Sequence, residues 1–135
     1  MIVTVDTNVL VSGVFFGGVP GKIVTAAREG VFTLAMTPLL LSELRGVFSR
    51  AKFGLNSDAV QLLMADMEAC ATIVCSGKRH HVVARDPDDD AVVDCAVESG
   101  SLYIVSGDSH LAEMDVIAGI TVVTPRQFVD LLKLG

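Results

Sequence analysis

Short uninterrupted apolar runs alternate along this chain with longer segments whose apolar residues recur every three or four positions. Ile2–Val5 is such a run, closed by Asp6, and reads as a buried strand with a carboxylate at its C-terminal end. A Gly-rich loop over 13–21 then leads into a helix near 20–29 that Gly30 ends, and Val31–Met36 reads as the second strand. Thr37 offers an N-cap and Pro38 the first helical position, so a helix is expected over 38–50. Ser57 or Asn56 can cap a helix over 58–70. Thr72–Cys75 is the third strand, 89–99 a helix stopped by Gly100, and Leu102–Ser106 the fourth strand. A short helix over 109–114, a fifth strand Ile120–Val123 and a helix from Pro125 to about 133 complete the pattern. Strands that alternate with helices predict an α/β fold, a parallel sheet covered by helices on both faces. In such sheets ligands bind beyond the carboxyl ends of the strands, where the strand order reverses.

Composition narrows the picture. The 135 residues are 51% hydrophobic and 19% charged, with no linker-like segment, so one domain over 1–135 is expected and intrinsic disorder is excluded. The mean hydropathy of +0.58 raises the possibility of a membrane span. The longest uncharged stretch, Thr7 to Gly21, holds Asn8, Ser12, four Gly and Pro20, and is too short and broken to cross a bilayer. The first basic residue is Lys22, so no secretory signal is expected, and Cys70, Cys75 and Cys95 lack metal-ligand spacing. Reduced thiols in a cytoplasmic protein, with no membrane partner, fit best. The net charge of −6 disfavours bulk attraction to nucleic acid, so any such binding falls to local basic residues.

The acids are where the chemistry lies. Asp6 and Asp108 each follow an apolar strand, so both are expected at one edge of the sheet. Glu43 shares a helical face with Leu40, Leu44 and Val47, an apolar stripe on which an ionised carboxylate needs a cation, a proton or a cleft. The run Asp86–Asp90 lies just ahead of a helix, where carboxylates cap and meet the dipole; Asp90 and Asp94 stand four apart on a stripe with Val93 and Val97. Asp6, Glu43, Asp90 and Asp108 are thus hard oxygen donors from separate parts of the chain, without Cys or paired His, a set that suits Mg²⁺ or Mn²⁺. The chemistry such a set supports is phosphodiester hydrolysis.

The segment Val5-Asp6-Thr7-Asn8-Val9-Leu10 resembles the opening motif of PIN domains. Leu40–Leu44, Asp86–Ala96, Ile104–Asp108 and Val122–Phe128 resemble the later motifs in order, so the likeness covers residues 1 to about 130. Within the family it is similar to the toxin components of toxin–antitoxin systems of the VapC type. The resemblance implies a three-layer α/β/α fold with a central parallel five-stranded sheet in the order 3-2-1-4-5. It implies a divalent-metal endoribonuclease whose acidic ligands are Asp6, Glu43, Asp90 and Asp108, with Asp94 a fifth candidate. Thr7, Asn8 and Ser106 match positions that support the site by hydrogen bonding, Ser106 standing where Thr is frequent.

Other readings have weaker support. A haloacid dehalogenase-type phosphatase would want an acid where Asn8 stands, and a receiver domain would want a Lys after the last strand, where Thr124-Pro125-Arg126 has none. A non-catalytic interaction module of the same fold is the remaining alternative. Arg45, Arg50, Lys52, Lys78, Arg79 and Arg85 are candidates for contacting RNA phosphates, with His80 and His81 in the same basic loop and His110 near Asp108. Phe15, Phe16, Phe48 and Phe53 offer apolar surface for a partner. The resemblance implies an antitoxin and a second copy of the chain, as a homodimer or higher oligomer.

Overall fold

The first strand runs straight into a helix. In the computed structural model, which describes residues 1–75, 87–107 and 116–133, β1 (Ile2–Val5) is followed directly by α1 (Thr7–Phe16). The expected loop over 13–21 is therefore corrected: residues 13–16 end α1 and 18–21 begin α2 (Gly18–Arg28), with Gly17 alone between them and both Gly17 and Gly18 at positive φ. Glycine at 13 serves helix packing instead of a turn. A Cβ there would meet Pro20 O and Val24 Cγ2 at 2.6 Å, so its absence lets α1 and α2 approach closely.

The chain continues through β2 (Thr33–Met36), α3 (Pro38–Phe48), a 3-10 turn at Ala51–Phe53, α4 (Ser57–Cys70) and β3 (Ala71–Ile73). After these come α5 (Pro87–Ser99), β4 (Tyr103–Val105), β5 (Val116–Ile117), β6 (Ile120–Val123) and α6 (Pro125–Leu132). The caps follow the sequence signals. Thr37 accepts from the Leu40 amide, Asn56 from Ala59, and Thr124 forms a capping box with Gln127. The helix expected over 109–114 lies outside the described residues.

Among the described residues six strands form one sheet in the order β3-β2-β1-β4-β6-β5. The five anticipated strands keep their expected order and are parallel; the addition is β5, paired antiparallel to β6 at the edge. A two-residue strand is too short to announce itself by periodicity. Its turn, Ala118-Gly119, has positive φ at both positions, as a tight hairpin requires. Val3, Val5, Leu34, Met36, Ile104 and Val105 are fully buried at the centre of the sheet, and α5 packs across β1, β2 and β4. Among the described residues no single helix is long and apolar enough to cross a membrane.

Candidate acidic site at the carboxyl edge of the sheet

Asp6 stands where β1 ends and α1 begins, beside the position at which the chain order reverses between β1 and β4. Its amide still pairs with Val105 O at 2.9 Å, so the backbone extends the ladder by one residue. One carboxylate oxygen accepts from the Asn8 amide at 3.2 Å and caps α1. The other accepts from the Ser106 hydroxyl at 3.0 Å. Ser106, fully buried, occupies the matching position just past β4, so two strand ends are joined through their side chains. Only 8% of Asp6 is exposed, and it sits at a helix N-terminus, where partial positive charge favours an anion.

Two more carboxylates are buried on α5: Asp90 is 6% exposed and Asp94 5%. Their height along β1 follows from a contact one residue further on, where the Thr4 hydroxyl meets Cys95 Sγ at 3.6 Å. From Cys95 back to Ala91 is about 6 Å along the helix, and from Thr4 to Asp6 is about 6.6 Å along the strand. The first turns of α5 therefore stand level with Asp6. Glu43, on α3, is half-buried between the fully buried Leu40 and Leu44, at the margin of the apolar stripe rather than within it. Thr7 is buried and Asn8 exposed.

A cleft of about 350 Å³ opens beside Asp6, lined also by Asn8, Val9, Ser12, Pro20, Gly107 and Pro125. Ser12 is a residue that sequence reasoning missed. It stands four positions after Asn8 and so on the same face of α1, a relation hidden while this segment is taken for a loop. Of the basic candidates, Arg45 donates to Gln61 Oε1 at 3.2 Å, Lys52 lies 5.1 Å from the centre of the Phe53 ring, and Arg50 is exposed. Lys78, Arg79, Arg85, His80, His81, Asp86, Asp108 and His110 lie outside the described residues. Phe15 stacks on Phe53 at 4.3 Å and meets Phe48 edge-on, while Phe16 is 77% exposed.

The donor chemistry at this edge is carboxylate and hydroxyl oxygen, which fits a hard divalent cation in type. Among the described residues, no three Asp, Glu, His or Cys side chains are grouped as an ion site by themselves. Asp108, the remaining acid expected here, follows Gly107 in the sequence and lies outside the described residues.

A comparison with curated proteins gave no match. Among solved structures, the chain is similar to one in the crystal structure of VapBC2 from Rickettsia felis bound to a DNA fragment from their promoter. The TM-score is 0.64 with 16% identity, over 92% of this chain and 98% of that one. At that identity the likeness is one of fold. The family model that matches, described as PIN domain, spans residues 2–110 and therefore includes β1, Asp6, α5 and β4. On that match, and with the sheet order it accompanies, the chain belongs to the PIN domain family.

Proposed function

We propose that the chain acts as one PIN-like domain over residues 1–135, a divalent-metal-dependent endoribonuclease that hydrolyses RNA phosphodiesters. The observation that carries this reading is the doubly held, nearly buried Asp6 at the mouth of a cleft, level with the first turns of α5 that carry the buried Asp90. Asp6, Glu43, Asp90 and Asp108 would hold Mg²⁺ or Mn²⁺, with Asp94 beside them. Once bound, the ion supplies a hydroxide-like water and offsets the negative charge of the phosphate.

The chain's own groups do the rest. Ser106 and the Asn8 amide fix both oxygens of Asp6, so this ligand is preorganised before substrate arrives. A rim of carboxylates repels the phosphates of RNA on its own, and a net charge of −6 adds to that repulsion. Arg45, Arg50 and Lys52, with Lys78, Arg79 and Arg85, are the local cations that would grip the backbone. In hydrolysis the water oxygen bonds to phosphorus as the bond to the leaving oxygen breaks, and that oxygen takes up a proton.

The biological setting we infer is that of the toxin in a type II toxin–antitoxin pair, in the cytoplasm, with an antitoxin protein and a second copy of the chain as partners. The fold likeness to a chain of the VapBC2 complex supports this setting. The test is cleavage of defined single-stranded RNAs in Mg²⁺, Mn²⁺ or EDTA by wild type and Asp6→Asn. Divalent-dependent cleavage by wild type alone is expected. Equal cleavage in EDTA would remove the metal from the mechanism, and a clean protein inert on every RNA would favour an interaction module.

A further inference from the structure

Thr4 is a fully buried hydroxyl in the middle of β1, two residues before Asp6. Its Oγ1 lies 2.8 Å from Ser101 Oγ, which lies 2.7 Å from Ser99 Oγ, and it donates to Cys95 Sγ at 3.6 Å. Every one of these partners belongs to α5 or to the short turn that follows it. Ser99 Oγ also donates to Ala96 O at 3.3 Å, so the three hydroxyls form one network that ties β1 to the C-terminal turn of α5 and to Cys95. Apolar side chains alone would let a helix slide by a residue, about 1.5 Å, with modest change in contact area. Buried hydroxyls do not, because sliding leaves them unpaired in a dry layer.

We propose that Thr4 and Ser101 are positioning residues for the acidic site: their buried hydrogen-bond network fixes α5 axially against β1 so that Asp90, near the start of the helix, stands level with Asp6 and Asp94 lies one turn further along. The pin itself rests on observed contacts; its purpose rests on the nuclease reading above. Neither hydroxyl touches the cleft, so their effect on the site is transmitted through the placement of α5.

The experiment measures Mn²⁺ affinity by titration and amide exchange of α5 in EDTA, for wild type, Asp6→Asn, Thr4→Val, Thr4→Ser and a core control on α4, Val60→Ala. Thr4→Val keeps the volume and removes the hydroxyl. It is expected to bind Mn²⁺ on the order of tenfold more weakly, the usual effect of losing an outer-shell partner. Its α5 amides should exchange faster while those of β2 keep their rates. Thr4→Ser should match wild type, and Val60→Ala should lose stability without losing affinity. Wild-type affinity in Thr4→Val overturns the proposal, as does a Thr4→Ser variant as weak as Thr4→Val, since packing of the methyl would then be the cause. Should Thr4→Val fail to fold, Ser101→Ala removes the same bond from the helix side and carries the same expectation. Wild type that takes up no Mn²⁺ overturns the nuclease reading itself. Exchange in EDTA then decides the pin alone, and unchanged α5 rates in Thr4→Val overturn it.

Discussion

Asp6 carries two tasks that substitution can separate. As a cap it holds the Asn8 amide, and as a charged oxygen pair it holds Ser106 and faces the cleft. Asparagine caps as well as aspartate, and the Ser106 hydroxyl can rotate to accept from an amide. Asp6→Asn should therefore stay within about 0.5 kcal/mol of wild type in urea melts without metal, whereas Asp6→Ala should lose about 1–2 kcal/mol. A large loss in Asp6→Asn would make the charge structural. Cys95 gives a second test. Burial pushes its thiol up to about 11, with the Thr4 hydroxyl pulling the other way and Asp94 adding a small rise. The native state thus keeps this proton to higher pH than the unfolded chain, whose thiol titrates near the ordinary value of 9.0. Its contribution is whole below that value and is lost as pH rises toward 11, about 2–3 kcal/mol in all. Urea midpoints should therefore fall more steeply above pH 9 in wild type than in Cys95→Ala. At this scale Asp6 is legible in sequence because a lone acid ends an apolar run. Thr4 is not, since a threonine in a strand looks like ordinary β propensity.

Between β1 and β2, two helices pack at a crossing that only glycine permits. Gly13→Ala drives a methyl into Pro20 O and Val24, and should cost about 1–3 kcal/mol or more by overpacking. Gly46→Ala, in the exposed interior of α3 with nothing within 4 Å of the new carbon, should instead stabilise by about 0.5–1 kcal/mol. Thermal or urea melts of the pair check both signs. The glycines explain why α1 was hidden: a segment with Gly13, Gly17, Gly18 and Gly21 reads as a loop, and the buried Val9, Leu10 and Val11 ahead of it form a continuous run without helical periodicity. Where start signals were explicit, at Thr37-Pro38, at Asn56 or Ser57 and at Pro125, helix starts were legible to within a residue. The edge hairpin was not, because Ala118-Gly119 lacks the Asn-Gly or Asp-Gly pair that usually marks such a turn.

For the molecule as a whole, strand order was legible through the family likeness, whereas the height of α5 against β1 depends on helix placement that no periodicity encodes. Metal linkage tests the assembled site. A divalent ion at a hundredfold excess over its dissociation constant should raise the stability of wild type by about 2.7 kcal/mol, and that of Asp6→Asn by much less. Glu43→Gln should likewise lose more RNA cleavage than Glu68→Gln, which alters an exposed acid on α4. Equal activities would move the site away from α3. The bond between Ser106 and Asp6 spans 100 positions of sequence, and β1 lies between partners made early and late. During synthesis, β1, β2 and β3 can emerge and pair while the ribosome has yet to deliver α5 and β4. A partly translated chain therefore holds Asp6 without Ser106, Asp90 or Asp94. If the finished chain cuts RNA, the ribosome is shielded from it by simple chronology: the last parts needed to arm the site leave the exit tunnel about a hundred residues after the first.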